Sequence, residues 1–210
     1  MDIQLVIAFI SASIALTVMP GPDNIFVLTE SLTKGAKVGA TIALGLVVGV
    51  LVHTTAAAAG ISIILKTSEI AFSLVKYIGA AYLFYLAYMS LIEKPKTGIE
   101  VGEKSVVNYN FWKLFRRGFI MNVLNPKVSI FFIAFLPGFI SKNGFNPALQ
   151  MIILGVVFMI QAYVIFGSVA LLAGRFSEAL NKPKFWVYTK FTQVFVLAAL
   201  GFLLVLTEQN

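Results

Sequence analysis

Six apolar stretches run through the chain, near 3 to 19 (continuing brokenly to about 32), 39 to 65, 69 to 92, 118 to 140, 148 to 174 and 191 to 206. Runs of about 20 residues are what a helix needs to cross a hydrocarbon core roughly 30 Å thick. Inside that core every backbone N–H and C=O must find its partner within the protein, so such runs fold as helices. The expectation is an all-α, polytopic membrane protein with six transmembrane helices. A first segment that re-enters rather than crosses, leaving five spans, is the competing arrangement. Charged residues make up 12% of the chain, against roughly 25% in a soluble domain, and no room remains for a folded soluble domain. Met1 to Met19 lacks a basic start and is not followed by a small-x-small cleavage pattern, so it reads as a first membrane segment rather than a signal peptide.

The polar connections are short except for 93 to 117, "EKPKTGIEVGEKSVVNYNFWKLFRR", which reads as a cytoplasmic linker between a first unit, 1–92, and a second, 118–210. Connections one, three and five hold twelve of the sixteen Lys and Arg; the opposite side holds Lys66 and Lys142, and Lys76 if it is counted there. Positive charge stays cytoplasmic, so both termini are expected outside. The same bias accounts for the net charge of +7 without a nucleic-acid partner. Three segments per half force the halves to enter the membrane in opposite directions, which makes them two inverted three-helix repeats if they are similar. "VMPGPDNIFVL" lies on "VLNPKVSIFF", pairing Pro22 with Pro126 and Asp23 with Lys127, and the third and sixth segments then align Lys76 with Lys190.

Segments one and four are broken at these proline motifs. Pro20 and Pro22 remove the helical donors of the Leu16 and Val18 carbonyls, and Pro126 removes that of Asn122. Such breaks survive in a membrane only where protein or a polar cavity receives them, so they mark the interior. Gly21 would supply unusual dihedrals at the kink. Asp23 and Asn24 suit the start of a new short helix, and Lys127 stands at the matching start after Pro126. Freed carbonyls and a carboxylate attract an ammonium, while a helix start and a lysine attract a carboxylate. The locus therefore suits a zwitterion with an α-amino and an α-carboxyl group. An intramembrane charge costs at least about 2.5–3.5 kcal/mol and is by default a functional candidate, although Asp23 and Lys127 could simply pair and lock the halves together.

Other polar residues carry weaker expectations. His53 could relay protons, but a lone helix histidine more often packs through hydrogen bonds. Gln161, near the corresponding place in segment five, contacts substrate or bridges helices. Gly35, Gly39, Gly45 and Gly49 form a small-residue face for helix packing and leave room for pairing into a homodimer. Glu30 is expected as a solvated carboxylate near the cytoplasmic entrance. Without cysteine and with one histidine, neither a metal site nor a catalytic cluster is expected, so the chain reads as neither an enzyme nor a cofactor protein. A passive channel for a small solute or ion is the alternative to a carrier.

"PGPDN" at 20 to 24, "KGAKVGATIALGLVVG" at 34 to 49, "YIGAAYLFYLAY" at 77 to 88 and "GFIMNVLNPKVSIFFIAFLPGF" at 118 to 139 together resemble the LysE/RhtB family of bacterial amino-acid exporters. The resemblance covers nearly the whole chain. It implies a small carrier of the bacterial inner membrane that drives amino acids or close derivatives out of the cytoplasm by the proton gradient. The residues matching its motifs are Pro20, Gly21, Pro22, Asp23 and Asn24 in the first half, and Asn122, Asn125, Pro126 and Lys127 in the second.

Overall fold

The computed structural model describes residues 1–67, 69–93, 109–141, 144–175 and 182–206. Its helices are α1 (Ile3–Val18), α2 (Pro22–Lys34), α3 (Ala36–Thr67), α4 (Glu69–Ile92), α5 (Phe111–Val123), α6 (Pro126–Ile130), α7 (Pro147–Leu171) and α8 (Pro183–Leu206). Past α6 the chain widens into a π-helical turn, Phe131–Phe135, and tightens into a 3-10 turn, Leu136–Phe139. Pro22, Pro126, Pro147 and Pro183 each open a helix, where a missing N–H leaves nothing unpaired. Side-chain oxygens of Asp2, Asn110, Asn125 and Asn146 cap the starts of α1, α5, α6 and α7.

Four helices are long and apolar enough to cross a membrane, and two bent pairs bring the number to six if each is one span. The bend between α1 and α2 is 55°, and that between α5 and Pro126–Phe139 is 53°. The protein is therefore an all-α, multi-pass membrane protein whose first and fourth segments are broken at the proline motifs. Two helices start earlier than hydropathy suggests. α5 begins at Phe111 rather than near 118, inside the stretch expected as linker, and α8 begins at Pro183 rather than 191. Lys113, Arg116, Arg117 and Lys184 lower the hydropathy without breaking a helix, because their long stems lie along apolar surface while their charges reach water. The rest of that linker, 94–108, lies outside the described residues.

α3 packs along α5 and α7, and α4 along α8. α3 and α5 cross on glycines: a Cβ at Gly45 would run into the Phe115 carbonyl, and one at Gly118 into that of Ile42. Gly39 and Gly49 extend this face against Ser31 and Asn122. Gly35 does not belong to it. Nothing lies within 4 Å of a Cβ placed there, and its φ of 95° instead makes the one-residue link between α2 and α3.

α4 and α8 run antiparallel and are tied at both ends. The Lys76 ammonium, seven residues after Glu69, donates to the Val205 carbonyl at 3.2 Å. The Lys190 ammonium, seven residues after Pro183, donates to the Glu93 carbonyl at 2.9 Å. At the end of the bundle near the start of α1, Phe9 packs on Phe131 and Phe139 with ring centroids 5.9 and 5.4 Å apart. At the other end Glu30 of α2 binds Arg117 of α5 at 3.2 Å, and Lys37 lies over the Tyr109 ring.

Replacing Gly118 or Gly45 by alanine should lower the melting temperature of the detergent-purified protein, since overpacking costs about 1–3 kcal/mol. Gly167→Ala, facing open space, should leave it nearly unchanged. Equal melting temperatures for all three variants would contradict the crossing.

Candidate functional site

The two helix breaks meet, and each is contacted by a side chain from the other half of the chain. The Leu16 carbonyl, which lost its donor to Pro20, accepts from the Lys127 ammonium at 3.4 Å. The Asn122 carbonyl, which lost its helical donor to Pro126, accepts instead from the Asn125 N–H at 2.8 Å and also faces the His53 Nε2 at 3.1 Å. As the Nε2–H donor, the imidazole turns a bare Nδ1 toward the Ser129 hydroxyl, 3.4 Å away. Asn24 secures the first break locally, its amide donating to the Thr17 and Met19 carbonyls at 2.8 and 2.9 Å. Orphaned backbone groups in hydrocarbon cost several kcal/mol each, so these contacts are what allow the breaks to exist.

Asn125 joins the two motifs. Its Oδ1 accepts from the Lys127 backbone N–H at 3.1 Å, capping α6, and its Nδ2 donates to Asp23 Oδ2 at 2.7 Å. Asp23 is 4% exposed, and its Oδ1 is buried with no hydrogen-bond partner. Among the described residues the ion pairs within 4 Å are those of Glu30, so Asp23 and Lys127 are not a closed salt bridge. Their charges interact, with Asn125 bonded to both residues.

Asp23, Lys127, Thr17 and Asn122 line a cavity of about 20 Å³, walled by Leu46 and Phe158 among others. That is space for about one water, which needs roughly 10–15 Å³, and not for an amino acid. Asn122 Oδ1 on this cavity is also buried without a partner. On the far side of Lys127 lies a second space of about 510 Å³, between α4, α8 and the two breaks. It shares Gly21, Pro22, Ser90, Glu93 and Gln193 with a neighbouring hollow of about 230 Å³. A small chamber with a few polar groups among apolar walls thus stands next to a larger vestibule, with Lys127 lining both.

The residues expected from the sequence are largely brought together: Asp23, Asn24, Asn125, Lys127 and Asn122, with Pro20, Gly21, Pro22 and Pro126 forming the breaks. His53 touches this group through Asn122. Gln161 does so through Thr17, whose Oγ1 accepts from its amide at 3.0 Å, bridging α7 to α1. Two expectations change. Gly21 has φ −158° and ψ −179°, an extended backbone that any residue adopts, so no unusual dihedral is needed there. Glu30 is not solvated; it is 7% exposed and bonded to Lys34 at 2.7 Å as well as to Arg117, whose guanidinium covers the Phe26 ring. Ser129, Ser90 and Gln193 went unnoticed in the sequence, Ser129 because the charged Lys127 and the proline of the same motif drew the reading, and Ser90 and Gln193 because no motif marks them.

The LysE type translocator family matches residues 14–208, a span that includes both breaks and everything between them. The chain belongs to that family. It is 29% identical over 198 residues to the Bacillus subtilis (strain 168) protein named "Uncharacterized membrane protein YrhP", covering 91% of this chain and 94% of that one. It is 30% identical over 172 residues to the "Leucine efflux protein" of Salmonella choleraesuis (strain SC-B67), covering 80% and 78%. The protein of that name from Salmonella typhi matches equally. No solved structure matches this translocator.

Because His53 adds a second contact to the Asn122 carbonyl, which the Asn125 N–H already meets, His53→Leu should destabilise the translocator by about 0.5–1.5 kcal/mol, the net worth of one hydrogen bond. His53→Gln, which keeps a donor, should recover most of that loss. Thermal melts of the purified variants check both; a leucine variant as stable as the parent would remove His53 from this role.

Proposed function

We propose that this translocator exports amino acids from the cytoplasm across a bacterial inner membrane, in exchange for protons. The observation that carries the reading is a buried carboxylate and an ammonium, Asp23 and Lys127, lining one small chamber where two broken helices meet. Relatives named for leucine efflux support an amino acid as cargo. The twelve cationic residues on connections one, three and five support a cytoplasmic position for those connections and both termini outside.

In this reading the units 1–92 and 118–210 move against each other about the two breaks, as inverted repeats do around a central site. Lys127 receives the substrate carboxylate. Asp23 Oδ1, which has no protein partner, receives the substrate ammonium or a proton. Protonation removes the negative charge that Lys127 faces and turns an acceptor into a donor, which weakens the hold on an ammonium and lets proton entry follow substrate exit. Asn125 keeps both residues in register, while Asn24, His53, Asn122 and Gln161 hold the frame. The phenylalanines around Phe9 and Phe131 close the outer end, and the Glu30–Arg117 pair spans the units at the inner end. A chamber of about 20 Å³ between those closures favours an alternating carrier over an open channel.

Liposomes holding the purified protein under an imposed pH gradient provide the test. The parent should accumulate labelled leucine against its gradient and show saturable counterflow. Asp23→Asn should lose gradient-driven accumulation about tenfold or more while keeping counterflow, and Lys127→Gln should raise the leucine KM about tenfold, or ~1.4 kcal/mol. Undiminished pH-driven transport by Asp23→Asn would overturn proton exchange through that residue. Leucine flux that never saturates would favour a channel.

A further inference from the structure

Gly21 is the N-cap of α2, where glycine is one of several accepted residues, and no strained dihedral or tight packing requires it there. Its dihedrals are extended and open to any residue. A Cβ built on it would meet only Lys127 Nζ at 3.4 Å and Met19 O at 3.9 Å, both ordinary van der Waals distances. This differs from Gly45 and Gly118, where a Cβ would collide with backbone. An alanine would fit at position 21, yet its methyl would lie directly on the Lys127 ammonium.

That ammonium is what the vestibule offers at its inner end. Gly21, Asn125 and Lys127 all line the space of about 510 Å³, a volume within the roughly 300–1,000 Å³ typical of small-molecule pockets. The α4 and α8 residues that line this space alone are Leu86, Met89, Ile92 and Leu197, whereas Ser90, Glu93 and Gln193 lie where it meets the neighbouring hollow. A cation beside such an apolar wall favours a molecule with an anionic head and an aliphatic body.

We propose that the vestibule between α4 and α8 is the loading site of the carrier, that it takes α-amino acids with aliphatic side chains, and that Gly21 is the window through which their carboxylate reaches Lys127. The inference rests on the export reading and extends it: cargo is selected in the vestibule before the small chamber opens. The carboxylate docks on Lys127 across the bare Cα of Gly21, and the side chain lies among Leu86, Met89 and Leu197.

The purified protein in lipid nanodiscs, titrated with leucine, leucinamide and lysine, tests this through ligand-induced thermal shift and through competition against labelled leucine. Leucine should bind the parent about tenfold or more tightly than leucinamide, which lacks the carboxylate, and more tightly than lysine. Gly21→Ala should melt within a few degrees of the parent and bind leucine as weakly as leucinamide, with a matching rise in KM for counterflow. Parent-like leucine affinity in Gly21→Ala would overturn the window, as would equal affinity for leucine and leucinamide in the parent, a comparison that needs no variant. Equal affinity for lysine would overturn the aliphatic class, and no leucine-induced shift in the parent, as expected if a lipid chain fills the vestibule, would overturn the loading site. A parent protein without counterflow of any amino acid would instead defeat the export reading, and this inference with it.

Discussion

A carbonyl that proline has deprived of its donor cannot be left bare inside a membrane, and both helix breaks of this translocator are organised around that constraint. Each break receives a side chain from the other half of the chain. Lys127 of the second half reaches the Leu16 carbonyl of the first, and His53 of the first reaches the Asn122 carbonyl of the second. Local groups share the task, Asn24 at the first break and the Asn125 N–H at the second, so the Leu16 carbonyl is the group that ties one break to the other. The polar locus follows from the same requirement. Groups gathered to satisfy backbone also bring a carboxylate and an ammonium to one small chamber.

The surrounding helices repeat this reciprocity on a larger scale. The two bends differ by only a couple of degrees. α4 and α8 clasp each other through lysines at matching positions, each bonded to a carbonyl at the partner's far end. Two antiparallel helices tied in this way form a frame, and the vestibule opens between that frame and the breaks. The glycine crossing of α3 with α5 adds a rigid contact of short range. Crossings that tolerate no Cβ leave no room for sliding, in contrast to the breaks and the π-helical turn, where the helical ladder is already interrupted.

Features carried by local chemistry were legible in the sequence. Six apolar runs and the helix breaks at Pro20, Pro22 and Pro126 followed from neighbouring residues. What depends on the crossing was not. His53 could be named as polar and buried, but its partner at Asn122 lies 69 positions away. Glu30 was misjudged because Arg117, 87 positions away, returns to it only in three dimensions. Asn125 appeared as a motif residue, whereas its amide bonding to Asp23 required the breaks to be superposed. Gly21 was read as a kink glycine from its prolines, and only its dihedrals redirect attention to the ammonium beside it. The early starts of α5 and α8 escaped hydropathy because charged helical turns at a membrane surface look like loops to a scale that sees only polarity.

Lys127 already directs one of its three N–H donors to the chain's own backbone, at the Leu16 carbonyl. Any group bound to the same ammonium would share it with that carbonyl, so a shift of the first break relative to the fourth segment changes what the cation has left to offer. Bending at the first break and the grip of Lys127 on its surroundings are thereby one coupled quantity.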